Sequence, residues 1–423
     1  MNIAVVGAGR IGLPLACAFA ERGHDVVACD VNDERVAMIN RGENPIPDEE
    51  GLAELLAKMV GTGRLRAARD TRSAVADRET VLFAVAVDID PDGRADLANL
   101  LSAADDVAAG VQAGALCIFD TTLPVGTTRA TIGPRFEAAG KAIGRDVFVA
   151  FSPERLFMGR VLQDLKRYPS VVGGLEEESG RRAATFYAEA LGNDVIQLQS
   201  AEAAELSKLA EGVYRDLNIA LANELARVAD LHGVDISEVT RAANSQPFCH
   251  LHVPGTGVGG HCIPVYPRFL VQGEGPSDLA ALGRQVNDDM PAYAVRRLGE
   301  LVGDLAGKRV LILGLTFRPN VAVTHHTNAL DLKQEFEARG ASVAGHDPLL
   351  TAAGATSLGF QPASEPLEGY DIAVVHAYHR EYAGLPWGKI APLVLDARNA
   401  MDRDEVEATG ARYLGIGRPV TPA

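Results

Sequence analysis

The chain has 423 residues, more than one hydrophobic core organises, so two or three domains are expected. Its composition, 47% hydrophobic and 23% charged, is ordinary for a globular protein, and a formal net charge of -16 leaves no basic surplus to neutralise the phosphates of a nucleic acid. No apolar run has the length of a membrane span, no charged leader precedes the first apolar segment, and the five cysteines form no disulfide framework, so a cytoplasmic setting without membrane contact is expected.

In chain order, Asn2 to Val6 is a short apolar run, and Gly7-Ala-Gly9-Arg-Ile-Gly12 then opens a helical pattern from Leu13 to Arg22. Gly23 reads as its stop. His24 to Cys29 reads as a second strand that ends in Asp30. The succession strand, GxGxxG, helix, strand, acid is a dinucleotide site. Gly7 serves the tight turn, Gly9 the approach of a pyrophosphate, and Gly12 the packing of helix on strand. Asp30 stands where a carboxylate accepts from a ribose 2′-hydroxyl, which selects NAD over NADP.

Further strands are expected at Thr80 to Val87, Leu116 to Asp120 and Asp146 to Phe151, with a helix from Leu97 to Ala109. Two strand ends carry polar segments: Thr121-Thr122-Leu-Pro-Val-Gly-Thr-Thr, and Ser152-Pro153-Glu154-Arg155. Carboxyl ends of strands are where ligands sit in open α/β sheets. Glu154 and Arg155 read either as a solvated surface pair or as site residues.

From Ser200 to His232 no proline interrupts a helical pattern, and Gly233 ends it. About 30 residues span roughly 45 Å. Leu206, Leu209, Val213, Leu217 and Leu221 recur at helical spacing and predict the core of a two-fold homodimer as well as a link between two domains. Lys208, Arg215 and Asn218 lie on this helix; Lys208 and Arg215 fall on nearly one face, which by default turns to water.

Pro254 to Pro267 holds four glycines, at 255, 257, 259 and 260, and then Cys262. A thiol at the mouth of a glycine loop is either a covalent nucleophile or a core thiol after a turn. Cys249-His250-x-His252 and His261-Cys262 offer donors for zinc, but their spacing matches no common structural zinc pattern, so no metal is assigned.

A second helical stretch is expected from Ser277 to Asp304. Strands follow at Lys308 to Gly314, Ser342 to His346, Ile372 to His376 and Leu393 to Asp396, with a helix from Asn328 to Arg339. Gly314-Leu-Thr-Phe-Arg-Pro is not a dinucleotide fingerprint. It suits a nucleotide or phosphate at a strand end, with Arg318 and Arg398 as pyrophosphate clamps. The expected fold is α/β: two Rossmann-like doubly wound domains (1–196, NAD-binding, and 301–423, which the resemblance described next makes nucleotide-sugar-binding) joined by a central helical domain with a long connecting helix (197–300).

These motifs, in this order, resemble the nucleotide-sugar 6-dehydrogenases, the family of UDP-glucose, UDP-N-acetylglucosamine and UDP-N-acetylmannosamine dehydrogenases. The resemblance implies that NAD oxidises a sugar C6 hydroxyl twice, through a thiohemiacetal and a thioester on Cys262, to a uronic acid. It implies that Lys208 stabilises the oxyanion, that Glu154 acts as base or positions water, and that Thr122 organises that water. Arg10, Ile11 and Arg35 would join Gly7, Gly9, Gly12, Asp30 and Thr122 around NAD. Arg155, Lys208, Arg215, Asn218, His252, Gly259, Gly260, Phe317, Arg318 and Arg398 would hold the UDP-sugar.

Ser-Pro-Glu-Arg and Gly-Gly-His-Cys look like the N-acetylhexosamine branch. The alternatives are UDP-glucose, an unusual nucleotide sugar, or a non-catalytic binding homologue. The chain departs from the family pattern at Tyr266 (usually Asp), Gly212 (usually Asn), Val87-Asp88 (usually Thr-Pro) and Ala322-Val-Thr-His325 (usually Asp-Asp-x-Arg). A phenol is a poor base near neutrality, so Glu154 is left as the acidic group for water activation.

Overall fold

Asn2–Val6 forms strand β1, Asp25–Cys29 β2, Leu65–Ala68 β3 and Thr80–Phe83 β4. Asp88–Ile89 (β5) and Ala95–Asp96 (β6) make a small antiparallel ribbon. Ala115–Phe119 (β7), Val147–Phe151 (β8), Ser170–Gly174 (β9) and Val195–Leu198 (β10) complete the strands of the first half. The computed structural model describes residues 1–165, 167–272 and 276–419. The chain divides into two compact units, one comprising Met1–Glu211 with a short stretch from Arg268, the other Gly212–Pro267 and the chain from Pro276 onward.

The first unit is built on an eight-stranded sheet in the order β10-β9-β8-β7-β4-β1-β2-β3. Its strands are parallel apart from the antiparallel contact of β8 with β9. Both faces are covered, which explains why the strands read as continuous apolar runs rather than alternating ones. Along β1, Ile3 and Val5 join one core with Leu13, Phe19 and Val26, while Ala4 and Val6 join the other with Val27, Phe83 and Phe119. The Phe83 and Phe119 rings stack with centroids 4.1 Å apart.

Strand order reverses between β1 and β4, the place in such sheets where a crevice opens at the carboxyl ends. The sequence pattern extends β4 to Val87. The ladder instead closes with the Ala84 amide on the Val6 carbonyl, and the chain then leaves the sheet. Val87 packs against the second of the two cores.

The second unit carries an all-parallel sheet in the order β13-β12-β11-β14-β15-β16, where β11 is Arg309–Leu313, β12 Ser342–His346, β13 Gln361–Pro362, β14 Ile372–Val375, β15 Leu393–Asp396 and β16 Arg412–Gly415. Here too the order reverses beside the first strand, at β11 and β14. The expected helix from Ser277 to Asp304 is two helices, Asp278–Asp288 and Met290–Val302. Pro291 explains the break: it has no N–H to continue the first helix, and it suits the first turn of the second.

The long helix runs from Ala201 to His232, so the chain passes from the first unit to the second within it. Its apolar residues do not share one side as the spacing suggests. Leu209 is buried, whereas Leu206, Tyr214, Leu221, Val228 and Leu231 are exposed. Tyr214, Leu221 and Val228 follow a seven-residue spacing, a narrower stripe of the kind that pairs helices. No helix among the described residues is long and apolar enough to cross a membrane.

Candidate active site

In the first unit, the turn after β1 is shaped by glycine. Gly7 has φ +96°, and a Cβ there would lie 2.6 Å from the Ala84 carbonyl oxygen. A Cβ on Gly12 would meet the Gly7 oxygen at 1.8 Å, whereas nothing lies within 4 Å of one on Gly9. Gly12 starts the helix Gly12–Glu21, which has no side-chain cap and no acid in its first turn, so no carboxylate of that turn opposes an anion at its N-terminus. Asp30 follows β2. Its Oδ2 accepts from the Ala8 amide at 3.0 Å and from Arg35 Nη1 at 2.8 Å, and its Oδ1 accepts from the Asn32 amide at 2.9 Å. Arg10 is paired with Asp48.

The ends of β7 and β8 carry a buried polar cluster. Asp120 and Thr122 follow β7, and Ser152 and Glu154 follow β8. Asp120, Thr122 and Ser152 are buried, and Glu154 is half-buried. Lys208, only 8% exposed, donates from Nζ to the backbone carbonyl of Glu154. The Glu154 carboxylate accepts from the Leu156 amide. Burial holds the Glu154 carboxyl above the usual carboxylate range, with Lys208 pulling the other way. Burial, and then the charge of Glu154, push Asp120 well above that range. Asp120, Ser152, Glu154 and Tyr187 line one cleft.

Lys208 therefore corrects the expectation that it and Arg215 both turn to water. Only Arg215 is exposed. Arg155 is the ion-paired surface residue of its segment, bound to Glu211 at 2.8 Å and half-buried. The loop that follows Thr122 is held by a carboxylate the sequence reading passed over: Glu205 on the long helix accepts from the amides of Gly126 and Thr128 and from the Thr128 hydroxyl.

In the second unit the glycine loop is tied down along its length. The Gly255 amide donates to Asn223 Oδ1 at 2.9 Å, the Thr256 amide to the Ala397 carbonyl at 2.9 Å, and the Gly260 amide to the His325 carbonyl at 3.1 Å. Gly260 has φ +96° and abuts the Phe317 ring, so both its conformation and its space require glycine. Arg398 Nη1 donates to the Gly257 carbonyl at 2.6 Å and Nε to the His376 carbonyl at 3.3 Å, which couples the loop to the ends of β14 and β15. Arg318 lies over the Phe317 ring.

The His325 and His261 rings stack 3.6 Å apart. His325, where an arginine is the family's usual residue, is thus part of the loop's support. Asn218 donates to the Tyr214 carbonyl at 2.7 Å, and burial holds His252 below the ordinary histidine value, with Arg215 adding to the effect. Among the described residues, Cys249, His250, His252, His261 and Cys262 do not bring three donor atoms around one point.

Cys262 ends the loop, half-exposed. None of the five cysteines is in a disulfide; Cys17, Cys29 and Cys117 are buried, and burial pushes the first two thiols up to about 12 and the third higher still. Three models of one family match in order: the NAD binding domain over residues 1–191, the central domain over 202–288 and the UDP binding domain over 311–403.

The chain belongs to the UDP-glucose/GDP-mannose dehydrogenase family. It is 31% identical over 427 residues to UDP-N-acetyl-D-mannosamine dehydrogenase of Methanocaldococcus jannaschii, covering 98% of this chain and 96% of that one. The solved UDP-D-ManNAc dehydrogenase of Pyrococcus horikoshii superposes with a TM-score of 0.90 at 30% identity over 99% of each chain. A UDP-glucose dehydrogenase from Pyrobaculum islandicum does so with a TM-score of 0.88 at 30% identity, over 99% of this chain and 98% of that one.

As a member of the UDP-glucose/GDP-mannose dehydrogenase family the protein is an NAD-dependent nucleotide-sugar dehydrogenase with an α/β fold. Its own residues fit NAD: the space above Gly9 and a helix start at Gly12 that carries no acid in its first turn suit a pyrophosphate, and the Asp30 carboxylate at the end of β2 suits a ribose diol but repels a 2′-phosphate. Asp30→Ala is expected to weaken NAD binding about ten- to hundredfold, the worth of a hydrogen bond to a charged group, and to narrow the gap between NAD and NADP. Calorimetric titration checks it; equal affinity of the unaltered protein for both dinucleotides would contradict the role given to Asp30.

Two buried acids, one in each unit, lie outside the residues that the sequence singles out. Asp120 was read only as the end of a strand, yet it occupies the same kind of position as Asp30. Asp347, after β12, repeats the pattern in the second sheet: its Oδ2 accepts from the amides of Leu315 and Thr316 at 2.7 and 3.0 Å, as Asp30 does from Ala8. An acid directly after an apolar strand was the signal in each case.

Proposed function

We propose that this enzyme oxidises the C6 hydroxyl of a UDP-N-acetylhexosamine, UDP-N-acetylmannosamine foremost, twice to give the uronic acid. The observation that carries the reading is Cys262, a half-exposed thiol at the end of a glycine loop, in a chain where three of the other thiols are buried and held neutral. Two oxidations without release of a reactive aldehyde require a covalent anchor, and a thiolate is the residue type suited to it. Bound NAD supplies the hydride acceptor.

Thr122, with Gly7, Gly9, Arg10, Ile11, Gly12, Asp30 and Arg35, forms the cofactor side. Cys262 attacks the C6 aldehyde and holds it as a thiohemiacetal, then as a thioester. Lys208, a compact ammonium, stabilises the developing oxyanion. Glu154 directs the water that hydrolyses the thioester, with Thr122 ordering it. Arg155, Lys208, Arg215, Asn218, His252, Gly259, Gly260, Phe317, Arg318 and Arg398 are the substrate-binding set. The two arginines of the second unit are suited to a pyrophosphate, since bidentate guanidinium geometry matches phosphate oxygens. A cytoplasmic setting belongs to the reading, supported by five cysteines of which none is in a disulfide.

The test is NADH formation across a panel of UDP- and GDP-sugars. UDP-N-acetylmannosamine is expected to give the highest rate, with two NADH per sugar. A higher rate with UDP-glucose overturns the substrate assignment, and one NADH per sugar overturns the thioester route.

We also propose that the protein works as a homodimer through the long helix. Its exposed Tyr214, Leu221, Val228 and Leu231, with Leu279 and Leu282 of the same unit at 68% and 57% exposed, are large apolar side chains of the kind a partner copy would cover. Light scattering at micromolar concentration is expected to give twice the chain mass of 44.7 kDa; the single-chain mass overturns the proposal.

A further inference from the structure

Tyr266 begins the helix Tyr266–Val271 and is 8% exposed. Its amide donates to the Cys262 carbonyl at 2.9 Å, so the turn that presents Cys262 also carries Tyr266 back over it. The phenol oxygen lies 3.2 Å from Cys262 Sγ, a hydrogen-bond distance for sulfur. On its other side the ring meets the long helix at Gly212. A Cβ at 212 would lie 2.8 Å from Tyr266 Cδ2 and 2.9 Å from its Cβ, closer than such atoms come.

Glycine inside a helix is unfavourable relative to alanine, and Gly212 is in the body of a 32-residue one. The helix tolerates it because the ring fills the space a side chain would take.

We propose that Tyr266 is a positioning residue for the reacting sulfur: its hydroxyl donates to Cys262 Sγ and stabilises the thiolate, and Gly212 is the gap that admits its ring. The inference rests on Cys262 being the nucleophile. The phenol keeps its proton throughout; the thiol proton passes to solvent, and the sulfur lone pair accepts the O–H bond. A tyrosine is mostly protonated near neutral pH, which disqualifies it as a base and suits it as a donor. The other titratable side chain of the loop is His261, which stacks on His325, with His326 beside that ring.

The test is the pH dependence of iodoacetamide alkylation of Cys262, followed by peptide-resolved mass spectrometry without substrate or NAD, with half-exposed Cys249 as the reference in the same chain. Tyr266→Phe leaves the ring and the three histidines in place. It is expected to raise the midpoint for Cys262 by about one pH unit, a tenfold change in thiolate population, and to leave Cys249 unchanged. An unmoved Cys262 midpoint overturns the proposal. The unaltered protein gives a second reading that needs no variant: its Cys262 midpoint is expected below that of Cys249, and a value at or above it overturns the proposal.

The gap is tested by stability. Gly212→Ala is expected to lower Tm when Tyr266 is present and to raise it in a Tyr266→Ala background, where helix propensity alone acts; equal effects in both backgrounds overturn the pairing. These measurements use no substrate, so a panel that yields no NADH defeats the proposed function while the midpoints still decide the role of Tyr266.

Discussion

Cys262→Ser is expected to abolish uronic acid formation, with a fall on the order of a thousandfold or more, the loss seen when a nucleophile that acts as part of a unit is removed. Serine preserves size and the turn, so the loop ties from Asn223, Ala397 and His325 persist and the fold is retained. What is lost is the ionisable group: an alcohol has no accessible anion near neutral pH, whereas a thiol does. The check is stoichiometric. NADH and uronic acid are measured together on the variant, with circular dichroism to establish folding. Two NADH per sugar at an undiminished rate would remove Cys262 from the mechanism.

Glu154→Gln is the second large effect. Turnover is expected to fall by about a hundred- to ten-thousandfold, the range for loss of an acid–base group, while a covalent adduct accumulates on Cys262 because hydrolysis is the slowed step. Intact-protein mass spectrometry after incubation with NAD and substrate reads it directly; a dead variant without adduct would move Glu154 to an earlier step.

Stability separates the catalytic loss from a structural one. Burial raises the Glu154 carboxyl above its ordinary value, so between the ordinary and the raised value the native state binds more protons than the unfolded chain. Stability is then fully present below the ordinary carboxylate value and falls as pH rises through that window. Glutamine removes this loss. The variant is expected to be at least as stable as the unaltered protein at neutral pH, with a flatter dependence of denaturation midpoint on pH. A variant that is inactive because it is unfolded would show the reverse.

Much of the fold was legible because its signals are local. The strand, glycine turn, helix, strand and acid at the start lie within thirty residues, and each residue there answers to a backbone or ligand demand of its own. Cys262 was legible for the same reason, since glycines announce a backbone held close to something.

What was not legible needed two distant stretches at once. Gly212 and Tyr266 read separately as a weak helix residue and a poor base; only their contact gives either a purpose. Lys208 sits on a helix whose pattern turns it to water, and the ends of β8 draw it inward instead. The exposed stripe on the long helix has another phase than the spacing suggests because Leu209 is fully buried, a demand that spacing within the helix does not contain. The helix break at Pro291 was readable and was passed over.

The three buried cysteines have a practical consequence. With Cys17, Cys29 and Cys117 enclosed and held neutral, the native protein offers only Cys249 and Cys262 to a soluble electrophile. A Cys249→Ser substitution would leave one addressable sulfur. A fluorophore or spin label attached there would report on the loop that carries the chemistry, and the protein would come to conjugation with its background already silent.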